Sequence, residues 1–226
     1  MTQHVNHHPS INLLELYCDG SLNAEVALLV AAHLDFCPHC QQLRHDIETD
    51  LGDQLAASSP APSEVHSVDW LEMLNKIVAT PQLTEPAVAP QLDNNIAIGN
   101  YAFTLPRSLC RVAAKRSKWL SIGGIATARL PSGEPHHASL LFIDKHTDVP
   151  LHTHHGLEMT LVLAGEMVDE NGRYGPGDLI INSPDDTHQP RNVSDEPCLC
   201  LSVLSAPLQF KSGITRWLNP LQRFFY

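Results

Sequence analysis

The sequence predicts two domains of different class, α followed by all-β, and three observations carry that reading. Up to about residue 80 apolar residues recur at helical spacing, whereas from about Asn100 short apolar or alternating runs recur between turn residues. Between them, "ATPQLTEPAVAPQ" (residues 79–91) holds three prolines and little periodicity, the composition of an extended, semi-rigid linker. Charge divides at nearly the same place. Residues 1–95 carry 2 basic and 13 acidic side chains, the whole of the net −11, and residues 96–226 carry 12 of each. The chain of 226 residues is long enough for two modest domains against a prior of ~150 residues per domain. The expected boundaries are a helical domain over 1–80, a linker over 81–98, a β domain over 99–210 and a tail over 211–226.

Each element follows in order. Ser10 can cap a short helix ending near Cys18, with Leu13, Leu14 and Tyr17 on one face. "DGS" (residues 19–21) is a turn, and Ser21 can cap a second helix in which Leu22, Val26, Leu29, Val30 and His33 keep the 3.6-residue period. Pro38 stops that helix and suits the first turn of a third, over about 39–51. After the loop "AASSPAPSE" (residues 56–64), a fourth helix is expected over about 68–78, with Trp70, Leu71, Leu74, Ile77 and Val78 on one face. Four helices therefore make up the first domain. In the second, the runs "HASLLFIDK", "LEMTLVLAGEMVD", "DLIINS" and "PCLCLSVLSA" alternate with turns such as "DENGRYGPGD", as in a β-sandwich or barrel.

Composition narrows the classes of function. Hydrophobic residues make up 43%, as in a globular protein, and the polar, His-rich first ten residues do not resemble a secretory signal. The apolar run at residues 26–32 is far short of the ~20 residues that span a bilayer. A cytoplasmic location without a membrane anchor is expected, where the 6 cysteines serve metals or redox chemistry in place of disulfides. The acidic N-terminal half should repel nucleic acid and suit a basic protein surface.

Two clusters point to metals. "HLDFCPHC" gives His33, Cys37 and Cys40 as H-x₃-C-x₂-C. His33 and Cys37 are four apart and share a helix face, and Pro38 turns the chain so that Cys40 can return to the same point. Two thiolates and an imidazole suit tetrahedral zinc, with a fourth ligand from His4, His7 or His8 just ahead of the first helix. A domain this small has little core, so a metal tie would stabilise it strongly. A redox dithiol fits less well, because a thioredoxin-like C-x-x-C opens a helix after a strand, and here a helix precedes it. The second cluster is H-x-H-x₃-E-x₆-G (His152, His154, Glu158, Gly165), followed by G-x₁₀-H-x₃-N (Gly177, His188, Asn192). His152 and His154 point to one side of a strand, and three imidazoles with a carboxylate suit zinc, iron, manganese or nickel. Cys198 and Cys200 also share one side of a probable strand and read as core, as does Cys110.

These motifs resemble a known family. Residues 8–40, with "LYCDGSL" and the H-x₃-C-x₂-C, are similar to the zinc-binding domain of ChrR-type anti-sigma factors, and the second motif pair resembles the cupin signature. Gapless alignment to that family implies His8 as the fourth zinc ligand, beside His33, Cys37 and Cys40. It implies a cupin β-barrel with a second divalent metal on His152, His154, Glu158 and His188, zinc first, with iron or manganese as alternatives. Two positions depart from the cupin pattern: His146 stands where a glycine is usual, and Pro184 and Asp185 displace the P-x-G before the last histidine. The resemblance implies a cytoplasmic, non-enzymatic protein that binds a group IV (extracytoplasmic-function) sigma factor 1:1 and releases it under singlet oxygen or organic hydroperoxide. It implies no direct contact with nucleic acid. Trp70, Leu71, Leu74 and Ile77, with Leu13, Leu14 and Tyr17, are the expected partner-binding residues; packing in the domain's own core is the competing role for each. A cupin dioxygenase or isomerase with a zinc-binding appendage is the rival from another class.

Overall fold

Helix capping explains where the N-terminal elements begin in the computed structural model, which describes residues 4–58, 70–81, 93–133 and 135–210. Helix α1 spans Ile11–Cys18, and the Ser10 side chain accepts from the Leu13 N–H at 3.2 Å. Helix α2 spans Ala24–Phe36 and is capped by Asn23, which accepts from the Val26 N–H at 3.0 Å. Ser21 does not take that role. Its N–H is held by the Asp19 carboxylate at 2.8 Å and by the Leu16 carbonyl, so it completes the turn that closes α1. Helix α3 spans Pro38–Ala57, with Pro38 in its first turn, and runs past the expected end near Leu51 to a cap at Ser58. Helix α4 spans Trp70–Ala79.

The β domain begins earlier than expected. Strands β1 (Asn95–Ile98) and β2 (Tyr101–Thr104) form a hairpin whose first strand lies inside the stretch read as linker; residues 82–92 lie outside the described residues. A fifth helix, α5 (Arg107–Ala113), follows; it buries Leu109, Cys110 and Ala113. The remaining strands are β3 (Leu120–Ile122), β4 (Ile125–Arg129), β5 (His137–Ile143), β6 (Thr147–Asp148), β7 (His152–His154) and β8 (Glu158–Ala164). They continue as β9 (Met167–Val168), β10 (Arg173–Tyr174), β11 (Leu179–Asn182), β12 (Thr187–His188), β13 (Arg191–Asn192), β14 (Cys198–Leu204) and β15 (Leu208–Phe210).

The expectation of four helices and a barrel is corrected on both counts: five helices are present among the described residues, and the sheets do not close. An antiparallel six-stranded sheet, ordered β11-β8-β14-β5-β4-β3, is backed by a four-stranded sheet (β10-β9-β13-β6) and a three-stranded one (β12-β7-β15). The strands of the second layer are only two or three residues long. Alternation along the large sheet divides its faces. Leu140, Leu161, Leu199 and Leu201 join Leu14, Leu29 and Val30 of the helices in one continuous core, whereas Ile143, Val162, Cys198 and Cys200 pack in a second cluster on the opposite face. Helix α2 is the keel: it packs on α1 and α3 on one side and on α5, β8 and β14 on the other.

Candidate metal centres and partner face

The first cluster is built by a helix–helix junction. Cys37 ends α2 and caps α3 in an extended conformation (φ −113°, ψ 98°), and its Sγ accepts from the Cys40 N–H at 3.4 Å. His33 lies one turn earlier in α2, and His8 enters from the extended segment before α1. Donor atoms of His8, His33, Cys37 and Cys40 all lie within 4.8 Å of one another. His8 Nδ1 stands 3.4 Å from each of the two sulfurs. Of the three candidate histidines, His8 is the one placed beside both sulfurs. His7 turns away to the Asp178 carboxylate at 3.4 Å, and His4 faces Asn6 at the surface.

The donor chemistry fits a soft divalent cation. His33 is fully buried; its Nδ1 donates to the Gly177 carbonyl at 2.7 Å, which leaves Nε2 deprotonated, buried and without a hydrogen-bond partner. Burial lowers the pKa of His33, and partial burial with the neighbouring His39 lowers that of His8, which favours the neutral imidazole that can donate to a cation. Burial and the neighbouring Cys37 push the Cys40 thiol up to about 12. A cation is what would convert that thiol to thiolate.

The second cluster brings together His152 and His154 from β7, Glu158 from the start of β8 and His188 from β12. Pairing of β12 with β7 sets His188 opposite His152, and pairing of β11 with β8 sets Asn182 opposite Glu158. All four clustered side chains are buried. The Nε2 atoms converge: His188 lies 3.0 Å from His152 and 3.1 Å from His154, and Glu158 Oε2 is 3.3 Å from both His154 and His188. His152 Nδ1 donates to the Pro150 carbonyl at 2.8 Å, which leaves its Nε2 lone pair facing the others. Lone pairs of this kind repel unless a proton or a cation lies between them. Burial drives His154 down to about 4, against the pull of Glu158. Burial alone would raise the Glu158 carboxyl, but the hydrogen bond from His188 and the three imidazoles hold it at about 2. His188 is the raised member: burial opposes its charge, and Glu158 and Asp169 outweigh that burial.

The sequence reading missed the groups that orient this cluster. Asn182 donates to Glu158 Oε2 at 3.3 Å, Ser202 to Oε1 at 3.4 Å, and Asp169 lies 3.7 Å from His188 Nδ1. Asn182 and Ser202 are polar residues buried within apolar strands, which is the signal that could have found them. A cavity of about 290 Å³ opens beside the cluster, with His152, Glu158 and His188 in its wall among Leu141, Val149 and Leu204. The two departures from the cupin pattern are accommodated. His146 adopts the left-handed φ of 51° that a glycine would take freely, and its ring meets Asp195 at 2.9 Å. The turn before His188 is closed by Asp186, which accepts from the Ser183 N–H at 2.6 Å.

The expected partner residues divide. Helix α4 has no buried residue; Trp70 is 62% exposed, and Leu71, Leu74 and Ile77 are exposed with it. On α1 the competing core role is what the packing favours: Leu14 is fully buried and Leu13 nearly so, anchoring α1 in the shared core, and Tyr17 is half-buried against it. No helix among the described residues is long and apolar enough to cross a membrane.

Comparison with known proteins matches both halves. Residues 109–207 fit the family described as ChrR Cupin-like domain, and residues 11–41 fit a putative zinc-finger family. The anti-sigma-E factor ChrR of Cereibacter sphaeroides is 32% identical over 97% of this chain and 99% of its own length. The crystal structure of Rhodobacter sphaeroides SigE in complex with the anti-sigma ChrR matches with a TM-score of 0.68 and 27% identity, covering 89% of this chain and 99% of that one.

Proposed function

The chain belongs to the ChrR family of anti-sigma factors, and from that premise we propose that it sequesters a group IV sigma factor in a 1:1 complex and so represses transcription from its promoters. The observation that carries this is α4, whose apolar stripe of Trp70, Leu71, Leu74 and Ile77 is exposed among the described residues. An apolar helix face of this kind is covered when it lies in a partner's groove. The excess of acid over residues 1–95 suits a partner whose polymerase- and DNA-binding surfaces are basic. Membership in the family assigns a regulatory protein and not an enzyme, which sets aside a cupin dioxygenase or isomerase.

The metal sites divide the labour. His8, His33, Cys37 and Cys40 hold zinc, which ties the N-terminal segment to the α2–α3 junction and so fixes the helices that precede α4. His152, His154, Glu158 and His188 hold a second divalent cation, zinc in the first instance, beside a cavity open to small molecules. Singlet oxygen or an organic hydroperoxide acts on the β domain, and the sigma factor is released. The test is co-purification of the full chain with its candidate sigma factor, followed by promoter-directed transcription with purified polymerase. A stable equimolar complex that silences transcription is expected; free sigma factor activity at saturating inhibitor would overturn the proposal.

A further inference from the structure

The groups that orient the first metal cluster come from the other domain. In the turn over residues 175–179, the Gly177 carbonyl accepts from His33 Nδ1 at 2.7 Å and thereby selects the tautomer that frees Nε2. The next residue, Asp178, is 2% exposed. Its Oδ1 accepts from the Asn6 N–H at 2.7 Å and the His7 N–H at 2.8 Å, the two amides that lead into His8, and its Oδ2 accepts from the Gly175 N–H at 2.8 Å. The Leu179 N–H then donates to the His7 carbonyl at 3.0 Å. Two of the four candidate ligands are thus fixed by one turn of the β domain. The fit is close: Gly177 has φ +92°, and a Cβ there would stand 2.7 Å from Val5 Cγ2 and 2.9 Å from Phe36 Cβ.

We propose that the turn over residues 175–179 is the outer coordination shell of the His8, His33, Cys37 and Cys40 site, so that metal retention there and docking of the two domains are one linked equilibrium. Gly177 and Asp178 are positioning residues; neither donates to the metal. By linkage, loosening this turn weakens zinc at the first site, and losing that zinc loosens the turn by the same free energy. Outer-shell partners of metal ligands affect affinity by about 10–100-fold when removed.

The inference rests on zinc at the first site, and the zinc content of the wild-type full chain tests that separately. A wild-type chain whose zinc is unaffected by Cys37→Ser removes the site reading and the coupling with it. With zinc present, competition against a chromophoric chelator compares wild type with Asp178→Asn and Gly177→Ala. Each variant is expected to hold the Cys37-dependent zinc about 10–100-fold more weakly, with the metal at His152, His154, Glu158 and His188 held as before. Equal affinity in a folded Asp178→Asn chain overturns the coupling alone. Hydrogen exchange on the wild type needs no variant to fold: chelation of the Cys37-dependent zinc should accelerate exchange at the Leu179, Asn6 and His7 amides. Unchanged protection at all three overturns the coupling.

Discussion

Trp70→Ala separates a partner-facing α4 from a core-packing one, because the two roles predict opposite outcomes for the free chain. A buried aromatic removes roughly 200 Å² from water, and 62% of Trp70 is still exposed. Covering that remainder buries roughly 120 Å², worth about 3 kcal/mol at ~25 cal/mol per Å². That corresponds to roughly 150-fold in affinity. Ordering the side chain on binding subtracts from it, so a loss of about 30–150-fold in sigma factor affinity is expected. In the free chain Trp70 is mostly exposed, so the same truncation should leave stability within about 0.5 kcal/mol of wild type. The assays are a binding titration with labelled sigma factor and urea unfolding of the chain alone. A change in affinity below about threefold, or a free chain destabilised by more than about 2 kcal/mol, would refute the assignment of α4 to the partner.

Other expectations follow from the same geometry. His8→Ala should lower the zinc content by one equivalent per chain, as Cys37→Ser does, whereas His7→Ala should leave the count unchanged; elemental analysis of the purified chains decides it. Leu29→Ala removes a fully buried side chain of the keel helix and should cost about 2–5 kcal/mol in chemical unfolding. In the metal-free chain stability should fall as pH drops from the ordinary histidine range to about 4. Across that window the unfolded state protonates His154 and the folded state does not, while His188, raised in the folded state, already contributes fully at the upper end. Urea midpoints at stepped pH measure the slope, and a flat profile would contradict the burial assigned to His154. Glu158, held at about 2, adds a further loss below the ordinary glutamate range.

Much of this was legible because it is local. The α1 cap is a Ser next to its helix, and the first cluster needs only an i, i+4 pair and a proline-turned junction, so spacing alone brought His33, Cys37 and Cys40 together. The choice among His4, His7 and His8 was not local. His8 is brought to the sulfurs with the help of Asp178, which binds the backbone of residues 6 and 7 from 171 or more positions away. Asn23 and not Ser21 caps α2, because the turn that holds the Ser21 N–H runs on to residue 23 before the helix begins, a placement that propensity does not register. Helix α5 carries its signal in Pro106 followed by Leu109, Cys110 and Ala113, a period too short to stand out among strands. That the helical and β parts share one core was not legible, since leucines of α2 and of β14 each present an apolar face that no sequence window pairs.

That shared core has a functional consequence. Strand β14 is buried on both faces, with Leu199 and Leu201 against the helices and Cys198, Cys200 and Ser202 against the pocket layer. Ser202 bonds Glu158, and Asn182 at the end of β11 bonds it from the other side, four residues along from Asp178. The wall of the second metal cluster and the floor beneath α2 are therefore the same strands, seen from opposite sides. On the pocket face the immediate neighbours in sequence are residues that support the helical domain, so a displacement on one face bears on the other. Close-packed interiors respond to such displacement by shifting as units, because a gap of a fraction of an ångström already forfeits much of the contact energy. The β domain is thus the platform on which α2 rests, and through α2 it supports the junction that carries His33, Cys37 and Cys40.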